Sequence, residues 1–295
     1  MLDAKNRLTT SMRVPIRVLR RVNLWGALAV LIFASFVMAA AFPDYLAPHN
    51  PRGINLAVSF TPPFFQKGGT TEYLLGTDQL GRDILSRLIY GARTALLVGA
   101  IGIFLAGGIG STLGIIAGYK GGWVDNVISR AIDVMMALPT MLLAMVLAIV
   151  FGASLLNVAL VISLVYWARY ARIARGDTLK VRTMDYVTLA RVAGVSEFAI
   201  LLRHVLPNVI NSLIVLATFN VGTVITLEST LSFLGVGVPP PAPSWGGMCS
   251  DGREFITSAG WVSFVPGLAI MLVVLSTNVL GDWIRDRLDP QLRDL

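Results

Sequence analysis

The sequence predicts an all-α integral membrane protein with six transmembrane helices, and three observations lead there. Of the 295 residues, 55% are apolar and only 14% charged, with a mean hydropathy of +0.71. Soluble domains carry about 45–50% apolar and about 25% charged residues. Second, six runs stand out, at roughly 24–42, 94–117, 131–151, 154–170, 207–227 and 263–282. Each comes near the about 20 mostly apolar residues that cross about 30 Å of hydrocarbon. Third, the lysines and arginines gather between these runs, unevenly from one side to the other.

Residues 1–23 form a basic tail carrying Lys5, Arg7, Arg13, Arg17, Arg20 and Arg21. The first run, LWGALAVLIFASFVMAAAF over 24–42, has no charge. It exceeds the apolar core of a cleaved signal peptide, about 7–15 residues, so it is expected to remain as a span. Residues 43–93 are an outer segment that opens with Pro- and Gly-rich turn chemistry and continues as TDQLGRDILSRLIYGART. There Thr77 can cap an interfacial amphipathic helix with Ile84, Leu85, Leu88 and Ile89 on its apolar side. Asp83 and Arg87 are spaced to pair on the other side.

Residues 94–282 then hold the remaining five spans. Gly102, Gly107, Gly108, Gly110 and Gly114 thin out the second and are expected to let a neighbouring helix come close. The third is interrupted by Pro139 in MALPTM and carries Asp133, three residues from Arg130, as an expected ion pair near its inner end. Apart from Asp282 at the edge of the last run, no other span has an acid or a histidine within these bounds. Residues 228–262 include VGVPPPAPSWGG, a stiff outer loop with Trp245 and Trp261 expected at headgroup level. Residues 283–295 are a second tail.

Orientation follows from charge. With the amino end inside, eighteen of the 24 lysines and arginines fall on the inner side and six outside. The positive-inside rule then places both termini in the cytoplasm. That placement explains the net charge of +7 without nucleic acid.

Several function classes are excluded by what the chain lacks. Cys249 is the single cysteine, so no internal disulfide forms. His49 and His204 lie outside every apolar run, which leaves no metal site inside the membrane and no base for a mid-membrane serine nucleophile. The phosphate-cradling pattern G-x-x-x-x-G-K-[ST] does not occur, and GASLL at 152–156 fails as a G-x-S-x-G elbow. No catalytic residue, metal ligand or cofactor is therefore assigned.

Between the fourth and fifth spans lies a polar insert on the inner side. Thr183 or Asp185 can cap a short helix, YVTLARVA, with Tyr186, Leu189, Ala190 and Ala193 along one side. Gly194 can supply the left-handed conformation that ends helices. Ser196 then caps a second helix with Glu197 in its first turn, and Phe198, Leu201, Leu202 and Val205 form an apolar face. Pro207 closes the unit as an early residue of the fifth span. Spacing alone fits both an interfacial hairpin resting on lipid and a docking element for a soluble partner.

The Gly194-to-Pro207 spacing, preceded by Leu189-Ala190, resembles the EAA loop of the permeases of binding-protein-dependent ABC importers. LLGTDQLGRDILSRLIYGART, YKGGWVDNVISRAIDVMMALPTMLLA, ESTLSFLGVGVPPPAPSWG and PGLAIMLVVLSTNVLGDWIRDRLDPQLR extend the likeness. They are similar, in the same order, to the second-type permease subunits of dipeptide and oligopeptide importers. The resemblance implies the type I ABC importer permease fold, an insert over 183–207 acting as the coupling helix, and a bacterial inner-membrane location. It implies a homologous permease, two ATP-binding subunits and an extracytoplasmic solute-binding protein as partners. Coupling contacts are then expected at Thr188, Leu189, Ala190, Arg191, Gly194, Phe198 and Pro207. Thr188 and Leu189 stand where the family has Glu and its first Ala, so only the glycine and proline roles carry over directly. Cargo would be a di- or oligopeptide, or a nickel chelate, glutathione or an opine.

At the opposite end, Glu228 stands at the mouth of the fifth span beside the proline-stiffened loop. With Ser232 and Phe233 it is expected either to form part of an outer gate or to sit solvated at the interface. A secondary transporter would show a buried acid or an internal repeat, and a purely structural membrane protein would not need the inner helix–Gly–helix–Pro unit.

Overall fold

The computed structural model describes residues 24–288, and these are all helix and loop. Expectations for 1–23 and 289–295, including the basic tail, lie outside the described residues. The elements in order are α1 (Leu24–Ala41), α2 (Pro43–Leu46), α3 (Ile84–Lys120), α4 (Gly122–Ala137), α5 (Thr140–Phe151) and α6 (Leu155–Val181). There follow α7 (Asp185–Val192), α8 (Glu197–Ile200), α9 (Leu206–Phe233), α10 (Trp245–Gly252) and α11 (Trp261–Leu288).

Among the described residues, five helices are long and apolar enough to cross a membrane: α1, α3, α6, α11 and a continuous rod from Glu197 to Phe233 that includes α8 and α9. The expected third span is not one helix. α4 and α5 meet at 95° around Leu138-Pro139, because proline disfavours helical backbone at the residue before it. The pair makes a sixth span if the two bent halves cross as one. Asp133 also departs from expectation. It pairs with Arg172 on α6 at 2.9 Å rather than with Arg130, and Asp125 receives Arg175 Nη2 at 2.7 Å, so both acids of α4 lash it to α6.

α3 and α6 are the central pair. Their approach depends on missing side chains: a Cβ on Gly110 would overlap the Trp167 carbonyl, and one on Gly114 the Ala171 carbonyl. On Gly102 it would come within 2.7 Å of Ile162. Gly107 makes only ordinary contact with Tyr170, and Gly108 faces open space, so two of the five glycines have no close-packing role. α9 packs across this pair, α11 packs on α9, and α1 closes the outside against α3 and α11.

The amphipathic helix expected before the second span is part of that span. α3 runs unbroken for 37 residues and begins at Ile84, capped by Asp83, which accepts from Ser86 N at 2.8 Å. Thr77 does not cap it; its backbone and hydroxyl bond to Thr61 and Val58 in the outer segment. α3 ends at Gly121, whose φ of +67° suits a residue without a Cβ and turns the chain into α4. Trp245 and Trp261 are both engaged within the chain. Trp245 is buried, closes on Gly91 and donates to the Leu88 carbonyl at 2.9 Å, while Trp261 donates to the Thr77 carbonyl at 3.2 Å. Both rings fasten the outer segments together.

Candidate functional site at the two ends of the bundle

At the end of the bundle that carries α7, α6 stops where Arg182 Nη1 donates to the Gly118 carbonyl at 2.8 Å, tying it to the end of α3. Thr183 bonds back to Lys180, and α7 starts behind Met184 without a side-chain cap, so neither Thr183 nor Asp185 caps it. α7 closes with Gly194 at φ +77°, where Val195 N bonds to the Ala190 carbonyl and Gly194 N to the Arg191 carbonyl, both at 3.1 Å. This is the Schellman pattern, which satisfies the last carbonyls of a helix. Ser196 Oγ then accepts from Ala199 N at 3.4 Å and starts α8.

The second arm does not end before the span. α8 passes through a π-helical stretch, Leu201–Val205, directly into α9, with Pro207 in the first turn of α9. The expected apolar face is divided: Val205 is buried and Leu201 packs partly buried against the same core. Val187, Ile200, Val205 and Val209 are buried against Ile115, Tyr119, Ala174 and Val181. Phe198 and Leu202 point away and are exposed.

The seven residues expected to couple divide accordingly. Thr188, Leu189, Arg191, Gly194 and Phe198 are exposed around the corner, with Leu189 at 67% and Phe198 at 71%. Val192, not singled out by the sequence reading, joins them at 82%. Pro207 is exposed but lies a turn farther along the rod. Ala190 is different: it packs partly buried against the hairpin's own core, so its small size is explained within the chain. The corner is thus an apolar knob, seated on α3 and α6 from behind and uncovered in front. Arg191 lies with its guanidinium 5.6 Å from the Tyr119 ring centre, beside a polar recess that includes Lys120, Trp123 and Glu197.

At the opposite end Glu228 is 1% exposed, so it is neither solvated nor open to a partner. It lies within α9, which makes it an acid inside a span that the sequence bounds had excluded. Ser232 Oγ donates to Glu228 Oε1 at 2.8 Å, Ser229 Oγ lies 3.3 Å from Oε2, and Val238 N donates to Ser232 Oγ at 3.2 Å. A buried acid therefore holds the start of the proline turn through one serine. Phe233 does not join them; it stands on the exposed side. A second polar set escaped the sequence reading. Thr223 and Thr226 are exposed on α9, and Thr230 follows at the same face, at helical spacing i, i+3, i+7. Each hydroxyl bonds back to the carbonyl four residues earlier, which keeps it satisfied on an apolar helix. Their threonine spacing was the available signal.

Residues 110–294 match the family described as "Binding-protein-dependent transport system inner membrane component". The chain is 41% identical to the dipeptide transport system permease protein DppC of Haemophilus influenzae, over 91% of each chain. It is 45% identical to the DppC of Escherichia coli K12, over 91% of this chain and 90% of that one. A structure of the inward-facing MetNI methionine ABC transporter matches with a TM-score of 0.57 at 16% identity. That match covers 69% of this chain and 96% of the other, and it shows a shared fold.

Proposed function

The chain belongs to the inner-membrane components of binding-protein-dependent transport systems, and on that premise we propose that it forms half of the pathway of an ATP-driven peptide importer. Membership implies a membrane setting, ATP-hydrolysing partners and a solute-binding partner. The finer assembly is a heterodimer with a homologous permease, two ATP-binding subunits at the inner face and both termini of this chain in the cytoplasm. ATP hydrolysis rests with those subunits, a reading supported by the missing phosphate loop. Peptide cargo is supported by the names of the dipeptide permeases at 41% and 45% identity.

The observation that carries this reading is the continuity of the inner knob with α9. Glu197–Phe233 is one 37-residue rod, about 55 Å long at helical rise. A push on Phe198, or on Leu189 and Val192 through the Gly194 turn, therefore acts on the helix that bears the threonine stripe and, at its far end, Glu228. We assign the stripe to the pathway, where its hydroxyl oxygens offer acceptors to peptide N–H groups, and Glu228 and Ser232 to holding the outer loop.

The test is reconstitution in proteoliposomes with the companion permease, the ATPases and the binding protein. A labelled dipeptide should accumulate only with ATP and binding protein present, with glutathione and a nickel chelate run as competing cargoes. Leu189→Asp with Phe198→Asp should abolish ATPase retention while melting stays unchanged. Burying an apolar side chain contributes about 1.5–3 kcal/mol, so losing two weakens association by at least about a hundredfold. ATP turnover by this chain alone, or accumulation without the ATPases, would refute the assignment.

A further inference from the structure

A cavity of about 390 Å³ opens at the outer end between the Pro239–Pro241 turn, α10 and the loop that leads into α3. Small-molecule sites span about 300–1,000 Å³. Arg82, Arg87, Asp251 and Gln79 line it. Two carboxylates of unlike exposure hold the two guanidiniums side by side. Asp78 is fully buried, accepts from Arg82 Nε at 2.6 Å and also binds Arg87 Nη1. Its other bonds, from Leu80 N and Arg82 N, build the loop itself. Asp251 is 36% exposed and uses one oxygen, Oδ2, to meet Arg82 Nη2 at 3.1 Å and Arg87 Nη2 at 3.2 Å. Asp78 is thus part of the fold, whereas Asp251 can swing into water and leave two converging donors facing a cavity.

We propose that these two Nη2 groups form a transit subsite for the C-terminal carboxylate of a peptide, which replaces the Asp251 carboxylate on Arg82 and Arg87. The inference rests on the peptide reading above and deepens it. Geometry favours a carboxylate: paired guanidinium N–H groups already hold one carboxylate oxygen between them. Gln79 Oε1 is buried at the same cavity with no partner among the described residues, and it can accept from an N–H of the same ligand. The exchange conserves charge, with two arginines facing two carboxylates before and after. Its net gain is accordingly small, as suits a point on a conducting path, which must be favourable to enter and easy to leave. Ser232, held by Glu228, also lines the cavity and places the subsite at the outer end of α9.

The experiment uses the full complex of both permeases and both ATPases in nanodiscs without binding protein. It is titrated with L-alanyl-L-alanine and separately with L-alanyl-L-alaninamide, and weak binding is read by saturation-transfer NMR. In the wild-type complex the acid should bind more tightly than the amide, and equal binding overturns the proposal whatever the variants do. Asp251→Asn removes the internal competitor and should raise affinity for the acid by about tenfold with no change for the amide. Arg82→Gln added to it should cancel the gain. A gain shared by acid and amide, or absent from both, overturns the assignment. So does a gain confined to association of the binding protein, which would give the two guanidiniums to an acidic side chain of that protein. A complex that transports peptides yet binds acid and amide alike fails the subsite only; one that transports none fails the functional reading.

Discussion

A carboxyl group inside a membrane helix needs partners, and Glu228 has two serine hydroxyls. Its position on α9 makes it the anchor of Ser232, and Ser232 the anchor of Val238 N. Glu228→Gln keeps an acceptor for Ser232 and should leave transport within about fivefold, because a neutral hydrogen bond is worth only about 1 kcal/mol less than a charged one. Glu228→Leu strips that acceptor from a buried hydroxyl, at a cost of about 1–3 kcal/mol, and should lower both melting temperature and transport. Equal loss in both variants would show that charge, and not the hydrogen bond, is what the site uses. Cys249 gives a second test at this scale. Burial pushes its thiol up to about 11, from an ordinary value of about 8.5. A raised thiol pKa means less thiolate at neutral pH, so maleimide labelling should be slow at pH 7.5 and rise about tenfold per pH unit up to pH 9. Labelling as fast as that of a small free thiol at pH 7.5 would contradict the burial. Because Cys249 is the only cysteine, the rate is read without background.

Helices were legible where one side of a helix decides everything, and less so where a partner decides. The apolar runs of α1, α3, α6, α9 and α11 follow from composition alone, and Gly194 ends α7 because only the backbone conformation matters there. The seam between α4 and α5 was readable as a proline, but the 95° bend depends on how α4 is tied to α6 by Arg172 and Arg175. Arg87 illustrates the limit. Local spacing offered Asp83 as its partner, whereas the fold brings it Asp78 from the preceding loop and Asp251 from the far side of the chain. Likewise, apolar spacing put Phe198, Leu201, Leu202 and Val205 on one face, whereas the fold buries Val205 and exposes Phe198 and Leu202. Glycine spacing also overpredicted contact, and this yields a paired experiment on α3. Gly114→Val puts side-chain atoms into the Ala171 carbonyl, an overpacking that costs about 1–3 kcal/mol or more, and should sharply reduce folded protein in the membrane. Gly108→Ala meets open space and should leave abundance and melting unchanged. Equal tolerance of both would mean that α3 and α6 are not packed as described.

Across the whole molecule, two ends of unlike chemistry are joined by one rod. One end offers Leu189, Val192 and Phe198 without cover, and the other is laced by Asp78, Arg82, Arg87 and Asp251 and by two tryptophan N–H bonds. Orientation follows from the charge bias: reporter fusions at Gly69 and Arg253 should score as external, and those at Lys180 and Leu295 as internal. An external score at Lys180 would place the knob on the wrong side for ATPases and end the coupling account.

That account turns on what touches the knob, and cross-linking reads it directly. Val192, 82% exposed at the corner, is replaced by Cys in a Cys249→Ser background and labelled with a maleimide-benzophenone in the assembled transporter. Light should attach it to an ATP-binding subunit, with a yield that changes between nucleotide-free and ATP-bound complexes. Attachment to lipid or to the companion permease alone, in a complex that still transports its cargo at the normal rate, would contradict the claim that this corner receives the force of ATP binding.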